Sequence, residues 1–349
     1  MASVDFLTVA TVDYTPQALA TLRNARRTGN YLSHQYFALD AAPGTVAKLR
    51  EMLGEDATWI SVFGPEDLLF EREKYLAAFV YYNAFELACF AKYLAAAHVI
   101  GRAGAADLCL YADSDILFTG DVSVALKEIG NDAALLTPHQ LTAASSNAEA
   151  EYNALGWLNA GFFCLSARHS ATMPMLKWLV DRIAHAGFNA PAQGEFVDQI
   201  WLSALGFAFP NQVRLSTHPG MNVAYWNLGE RPLSRDGAMT LSQGKPLLFF
   251  HFSGFKLART NQLSTHAAVP VQAGSILDEL CAAYRLELEV ANATAGAARG
   301  LPRLPCCREP LETRLRNGEK VNGPRAASPA IPSNRLASVI RRVLSWLRR

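Results

Sequence analysis

The chain predicts an α/β fold in which a doubly wound, mostly parallel mixed sheet is flanked by helices. Three observations predict it. Short runs of β-branched and aromatic residues alternate with longer helical patterns along most of the chain. One of these runs, residues 108–111 (LCLY), is apolar throughout, as a strand buried on both faces must be. It leads directly into Asp113-Ser114-Asp115, the place where open α/β sheets hold ligands, at the carboxyl ends of their strands.

The elements follow in order. Residues 6–12 (FLTVATV) read as the first strand, then come a loop at Asp13 and Tyr14 and a helix over 16–28, whose Pro16 is acceptable in a first turn. Residues 36–40 and 58–63 repeat the strand pattern, with a helix over 45–53 between them. The longest apolar tract, 75–100, is interrupted by Asn83, Glu86 and Lys92 and so reads as a buried helix over 77–97, not as a membrane span. It leads into the 108–111 strand. Residues 133–136 supply another strand, and the polar stretch 142–151 reads as a loop. Residues 157–166 (WLNAGFFCLS) form a strand that opens with Asn159 and Gly161, followed by helices over 173–185 and over 195–205 (EFVDQIWLSAL), the latter carrying Asp198 and Gln199 near its start. A late strand, 247–252 (LLFFHF), leads into Ser253 and Gly254.

With 349 residues the chain is long enough for one large core or two smaller ones, and 50% hydrophobic against 18% charged residues marks a packed globular protein. The formal net charge of +1 argues against a nucleic-acid-binding surface over the whole molecule. Cys89, Cys109 and Cys164 lie in apolar patterns and form no Cys-x-x-Cys pair, so they read as core thiols of a reducing compartment. Cys306 and Cys307 lack two nearby partners for a zinc site. The start, MASVDFLTVA, has an acid and no basic region and does not read as a secretory signal; a cytoplasmic location is expected.

Three segments are expected: a globular domain over 1–290, a flexible Pro/Ala/Arg-rich linker over 291–330 and a basic amphipathic helix over 331–349. In the last, Leu336, Val339, Ile340, Val343, Leu344 and Leu347 recur at helical spacing, while Arg335, Arg341, Arg342, Arg348 and Arg349 fall mostly on the other side. That pattern suits an anionic membrane surface, with Trp346 at the interface. Docking on a partner or back on the core would use the same face.

Asp113 and Asp115, two positions apart, make a short clamp for a hard divalent cation, and such a cation holds a diphosphate. A turn capping a helix near Asp121 would use the same residue types. Three other segments are unusual as core filler. In WLNAGFFCLS, Asn159 precedes a Gly161 that permits close approach to the backbone. In EFVDQIW, Asp198 and Gln199 interrupt an apolar helix start. HPGMNVAYWNLGER precedes LLFFHFSGFK and gathers His218, Asn222, Tyr225, Trp226, Asn227, Glu230 and Arg231, a mixture of rings and polar groups suited to a sugar's apolar faces and hydroxyl edges. Some of these must be packing.

Taken in this order over residues 6–255, the motifs resemble bacterial glycosyltransferases of the GT-A type, in particular the glycogenin and lipopolysaccharide galactosyltransferase family. The resemblance implies a GT-A type, Rossmann-like fold and transfer of a sugar from a UDP- or GDP-linked donor to a glycan or lipid-linked acceptor, with retention, while the residues themselves leave inversion open, with Glu195, Asp198 or Glu230 as its base. It assigns Mn²⁺ or Mg²⁺ to Asp113, Asp115 and His251 around Ser114, and imidazole with two carboxylates suits Mn²⁺ better than Ca²⁺. A core histidine bonded to a carbonyl is the competing reading of His251. Asn159 and Gly161 take the place of donor-sugar contacts, and Asp198 with Gln199 that of the catalytic pair, against simple helix capping by Asp198. Thr11, Asp13 and Tyr14 fall where the family binds base and ribose. Gly254 and Lys256 fall on the phosphates, although Lys256 follows the glycine by two positions, not the family's three. Lys92 is a further phosphate or carboxylate partner, or a side chain that snorkels to water. Two rivals stand beside this reading. An aspartate-type Mg²⁺-dependent phosphohydrolase places its Asp-x-Asp after the first strand, with Thr or Val where Leu117 stands here. A non-catalytic carbohydrate-binding adaptor would have no need of the intact metal triplet.

Overall fold

The computed structural model of the protein describes residues 2–259 and 261–307. In chain order the elements are β1 (Val4–Ala10), α1 (Thr15–Thr28), β2 (Ser33–Ala38), α2 (Thr45–Leu53), β3 (Ile60–Phe63), α3 (Arg72–Ala78), α4 (Ala84–Gly101), β4 (Leu108–Ala112), β5 (Ile116–Phe118), α5 (Ser123–Leu126) and β6 (Ala134–Pro138). There follow α6 (Ser146–Leu155), β7 (Leu158–Ser166), α7 (Thr172–Ala186), β8 (Asn189–Ala190), β9 (Glu195–Phe196), α8 (Gln199–Ala208), β10 (Val213–Leu215), β11 (Leu233–Asp236), β12 (Met239–Ser242), β13 (Lys245–Pro246), β14 (Phe249–His251) and α9 (Ile276–Ala295).

A seven-stranded sheet in the order β10-β6-β7-β4-β1-β2-β3 forms the centre, parallel except where β7 runs antiparallel between β4 and β6. The fold is therefore α/β with a mostly parallel mixed sheet, as the alternating pattern predicts. Side chains of β4 alternate between the two faces: Leu108, Leu110 and Ala112 join a core with α1 and α9, and Cys109 and Tyr111 join another with α4 and α7. Two covered faces explain the unbroken apolar run. α4 is, among the described residues, the one helix long and apolar enough to cross a membrane, and it is largely buried inside the fold.

Several boundaries differ from expectation. The tract read as one helix over 77–97 is α3 and α4, because Asn83 starts a new helix: its side chain accepts from the Phe85 and Glu86 amides, and Glu86 takes the Asn83 amide in return. The expected loop over 142–151 contains the start of α6, capped by Ser145. The helix expected from residue 195 begins at Gln199, since Glu195 and Phe196 pair with β8 and Val197 takes a left-handed φ of 39°. The first part of the stretch expected to be linker, 291–307, is packed: α9 runs on to Ala295, and Ala291, Ala295, Ala298 and Leu304 are buried. Small alanines there let α9 lie close against α1 instead of marking a loose chain. The rest of the expected linker and the 331–349 helix lie outside the described residues.

Candidate metal centre

β1 and β4 pair in parallel, so their carboxyl ends share one edge, and the loops 11–14 and 113–115 emerge together there. Backbone bonds hold the second loop on both sides: the Asp113 amide donates to Gly161 O (2.8 Å) and the Phe252 amide donates to Asp115 O (2.8 Å). Antiparallel pairing of β5 with β14 sets Ile116 opposite His251, which brings a residue far along the chain beside Asp115. A register shift between Leu136 and Thr137 in the β6–β7 ladder is the local irregularity that lets the Asn159–Gly161 stretch turn toward the same edge.

The result is one donor set. A carboxylate oxygen from Asp113, one from Asp115 and a ring nitrogen of His251 all lie within 4.8 Å of one another. His251 Nε2 is 3.1 Å from Asp115 Oδ1 and 4.0 Å from Asp113 Oδ2. The imidazole is a buried floor, 4% exposed, while the carboxylates keep 31% and 35% of their surface. Burial pushes the Asp113 carboxyl above its ordinary value, and the neighbouring Asp115 charge adds to that, against the pull of Lys92. Burial also opposes ionisation of Asp115, but the His251 imidazole outweighs it and holds that carboxyl below its ordinary value. For His251, burial favours the neutral ring, yet Asp115 and Asp113 prevail and raise its pKa. Two carboxylate oxygens and an imidazole nitrogen converging over this span make a candidate site for a divalent cation, with a mixed O,O,N donor set that suits Mn²⁺ better than Ca²⁺.

Gly161 lies against the candidate triplet. A Cβ there would collide with the His251 ring and crowd Asp113 Oδ2 at 2.9 Å, so the glycine permits close approach of the imidazole. Asn159 folds back to accept from the Gly161 amide (3.0 Å), and its Nδ2 faces Gln199 Oε1 and His139 Nε2, each at 3.4 Å. Asn159, Gly161 and Gln199 are therefore neighbours. Gln199 is also anchored by donation to Leu155 O (3.2 Å).

Behind the carboxylates lies a second charged group. Lys92, on α4, points inward: Nζ donates to Ala160 O (3.0 Å), pairs with Asp198 Oδ2 (3.2 Å) and stands 3.6 Å from Asp113 Oδ1. It is a carboxylate partner and does not snorkel. Burial would favour its neutral form, but Asp113 and Asp198 outweigh that and raise its pKa. Asp198 makes no capping bond to α8; it accepts from the Tyr93 hydroxyl (2.8 Å) and is 1% exposed. One ammonium thus separates it from Asp113.

The polar-aromatic patch divides into scaffold and site. Glu230 accepts from the Leu141 and Thr142 amides and pairs with Arg231, and Arg231 donates to Met221 O (2.6 Å). Asn227 donates to His139 O and Asn222 O. These hold two loops together. Asn222 and Trp226 instead touch His251: Asn222 Oδ1 is 3.3 Å from His251 Nδ1, and the Trp226 ring stands edge-on to the imidazole, centroids 5.3 Å apart. Tyr225 packs against Trp226, and His218 caps its own turn by accepting from Gly220 N.

At the other loop, Thr11 O accepts the Tyr14 amide, and Tyr14 is exposed. Asp13 forms an ion pair with Arg303, a residue of the stretch expected to be linker. The backbone around Arg303 explains this: Leu304 donates to Asp40 O (2.7 Å), Thr45 Oγ1 donates to Pro302 O (2.8 Å), and Asp40 Oδ1 accepts from the Val12 amide (2.7 Å). Asp40 and Arg303 are absent from the sequence-based candidates, and composition offered no signal for either. Ser114 supplies its carbonyl to Thr21 Oγ1 (2.9 Å). Gly254 turns the chain after β14 with a φ of 74°, and Lys256 is exposed just beyond it.

No family model matches the chain. It is 33% identical over 158 residues to the uncharacterized protein YfnF of Bacillus subtilis (strain 168), covering 44% of this chain and 51% of that protein. To YfnD of the same organism it is 23% identical over 193 residues, covering 55% and 56%. The chain spans about half the length of these curated relatives. Among solved structures it is similar to the glycosyltransferase GlyE of Streptococcus pneumoniae TIGR4, with 15% identity, a TM-score of 0.48 and coverage of 88% of this chain and 66% of that one. It is also similar to the galactosyltransferase LgtC in complex with donor and acceptor sugar analogs, with 14% identity, a TM-score of 0.48 and coverage of 89% and 99%.

Proposed function

We propose that the protein is a metal-dependent glycosyltransferase that takes a sugar from a UDP- or GDP-linked donor and passes it to a glycan or lipid-linked acceptor of the cell surface. The observation that carries this reading is the Asp113, Asp115 and His251 donor set at the carboxyl end of β4. A cation held there supplies Lewis-acid stabilisation to a departing nucleoside diphosphate, which removes the need for a protonating acid. His251 fixes the floor of the site, and Tyr111 donates its hydroxyl to Asp113 and so orients that carboxylate. Thr11, Asp13 and Tyr14 receive the nucleotide, and Asn159 with Gln199 faces the sugar. Gln199 carries a neutral amide and is a poor nucleophile, while Asp198 is engaged by Lys92 and Tyr93. Retention by same-face attack is therefore preferred over a covalent intermediate. The basic amphipathic pattern of 331–349 supports work at an anionic inner membrane surface.

The test is the purified full chain with Mn²⁺ and a panel of UDP- and GDP-sugars, with released nucleoside diphosphate followed by mass spectrometry. Asp115→Asn is expected to cut release by more than about 100-fold, the scale of losing several kcal/mol of charge stabilisation. Undiminished release in that variant contradicts the assignment, and phosphate release from phosphomonoesters without sugar transfer would favour a phosphohydrolase.

A further inference from the structure

A histidine binds a metal through one ring nitrogen only if the other carries the proton, and that tautomer is set by whatever the second nitrogen faces. Here Nε2 looks toward Asp113 and Asp115, and Nδ1 looks toward Asn222 Oδ1 at 3.3 Å. Because Oδ1 is an acceptor only, it selects the Nδ1–H form and leaves the Nε2 lone pair to the cation.

Asn222 is built into this place. Its φ of 54° is left-handed, a region that asparagine tolerates and most residues do not, and its side chain is fully buried. Its carbonyl accepts from Asn227 Nδ2 at 2.9 Å, which fixes the turn. The strand-like step that follows locks it to the metal ligand's own backbone: Val223 bridges Phe250 in parallel, and the His251 amide donates to Val223 O at 2.8 Å. Among the described residues Asn222 Nδ2 has no hydrogen-bond partner, so the contact with His251 is the hydrogen bond this side-chain amide makes.

We infer that Asn222 is a positioning residue for metal binding, which orients His251 and fixes its tautomer. This rests on the metal-centre reading above and adds to it a residue that acts through His251.

The test is Mn²⁺ titration of the full-length protein by calorimetry or electron paramagnetic resonance, with no nucleotide sugar present. Asn222→Gly keeps the left-handed turn and removes the acceptor; a 10–100-fold loss of Mn²⁺ affinity is expected, typical of losing an outer partner of a metal-ligating histidine. Asn222→Asp keeps an acceptor oxygen and tolerates the same φ, so it is expected to bind within a few-fold of the parent. Thermal melting of both variants checks the fold. Unchanged affinity in Asn222→Gly, or equal losses in both variants, overturns the inference and leaves the metal centre standing. Failure of the parent itself to bind Mn²⁺ more tightly than Asp115→Asn overturns the metal centre and the inference with it.

Discussion

Two charged clusters sit back to back at the carboxyl end of β4, and their chemistry is opposite. In the inner one, Lys92 and Asp198 are almost completely enclosed, and the pair is completed by Tyr93 and Ala160 O. In the outer one, two carboxylates share a single imidazole, each is about one-third exposed, and burial holds the Asp113 carboxyl above its ordinary value. The inner acid has a full complement of partners within the fold, whereas the outer carboxylates keep surface open to a ligand, as a candidate cation site requires.

That contrast breaks first at the inner cluster. Lys92→Met is expected to destabilise the fold by about 3–5 kcal/mol, since it strands a buried carboxylate. Lys92→Met combined with Asp198→Leu should recover much of that loss in urea unfolding, because the buried charge is gone as well. A mild single-variant effect would make the inner cluster dispensable.

A smaller effect is expected at the join between strand and site. Gly161→Ala drives a methyl into the His251 ring and should cost about 1–3 kcal/mol in stability, together with most of the Mn²⁺ affinity. Normal Mn²⁺ affinity in this variant would show that the imidazole has another place to go.

Smallest in stability, and most telling, is Asp113→Asn. With the folded-state pKa of Asp113 raised, the protonated carboxyl is favoured in the fold, and stability is lost as pH rises through that value. At pH 7–8 the neutral amide should therefore melt no lower than the parent, while Mn²⁺ binding disappears. Thermal melts across pH 4–8 read this directly. A large destabilisation would place Asp113 with the scaffold.

The acidic pair of the candidate metal site was legible because its physics is local, an apolar run and then acids at a strand end, whereas His251 came only with the resemblance and the pairing of β5 with β14 brings it there. What lay beyond it depended on packing. Lys92 in an apolar helix reads equally well as a snorkelling side chain until β4 and α8 set two carboxylates before it. Asn222 was visible as one polar residue among several, but its role needs the left-handed turn and the parallel bridge to β14. The Asn83–Glu86 spacing is a capping box that looked like mere interruption of an apolar tract. At 291–307 alanine content suggested looseness, whereas the small side chains serve close contact, and Arg303 reaches Asp13 from there.

The most direct test of the central claim is Mn²⁺ binding stoichiometry, measured by electron paramagnetic resonance on the parent and on His251→Ala. One tightly held ion per chain in the parent, lost in the variant, is the predicted result. Equal binding by both proteins would contradict it.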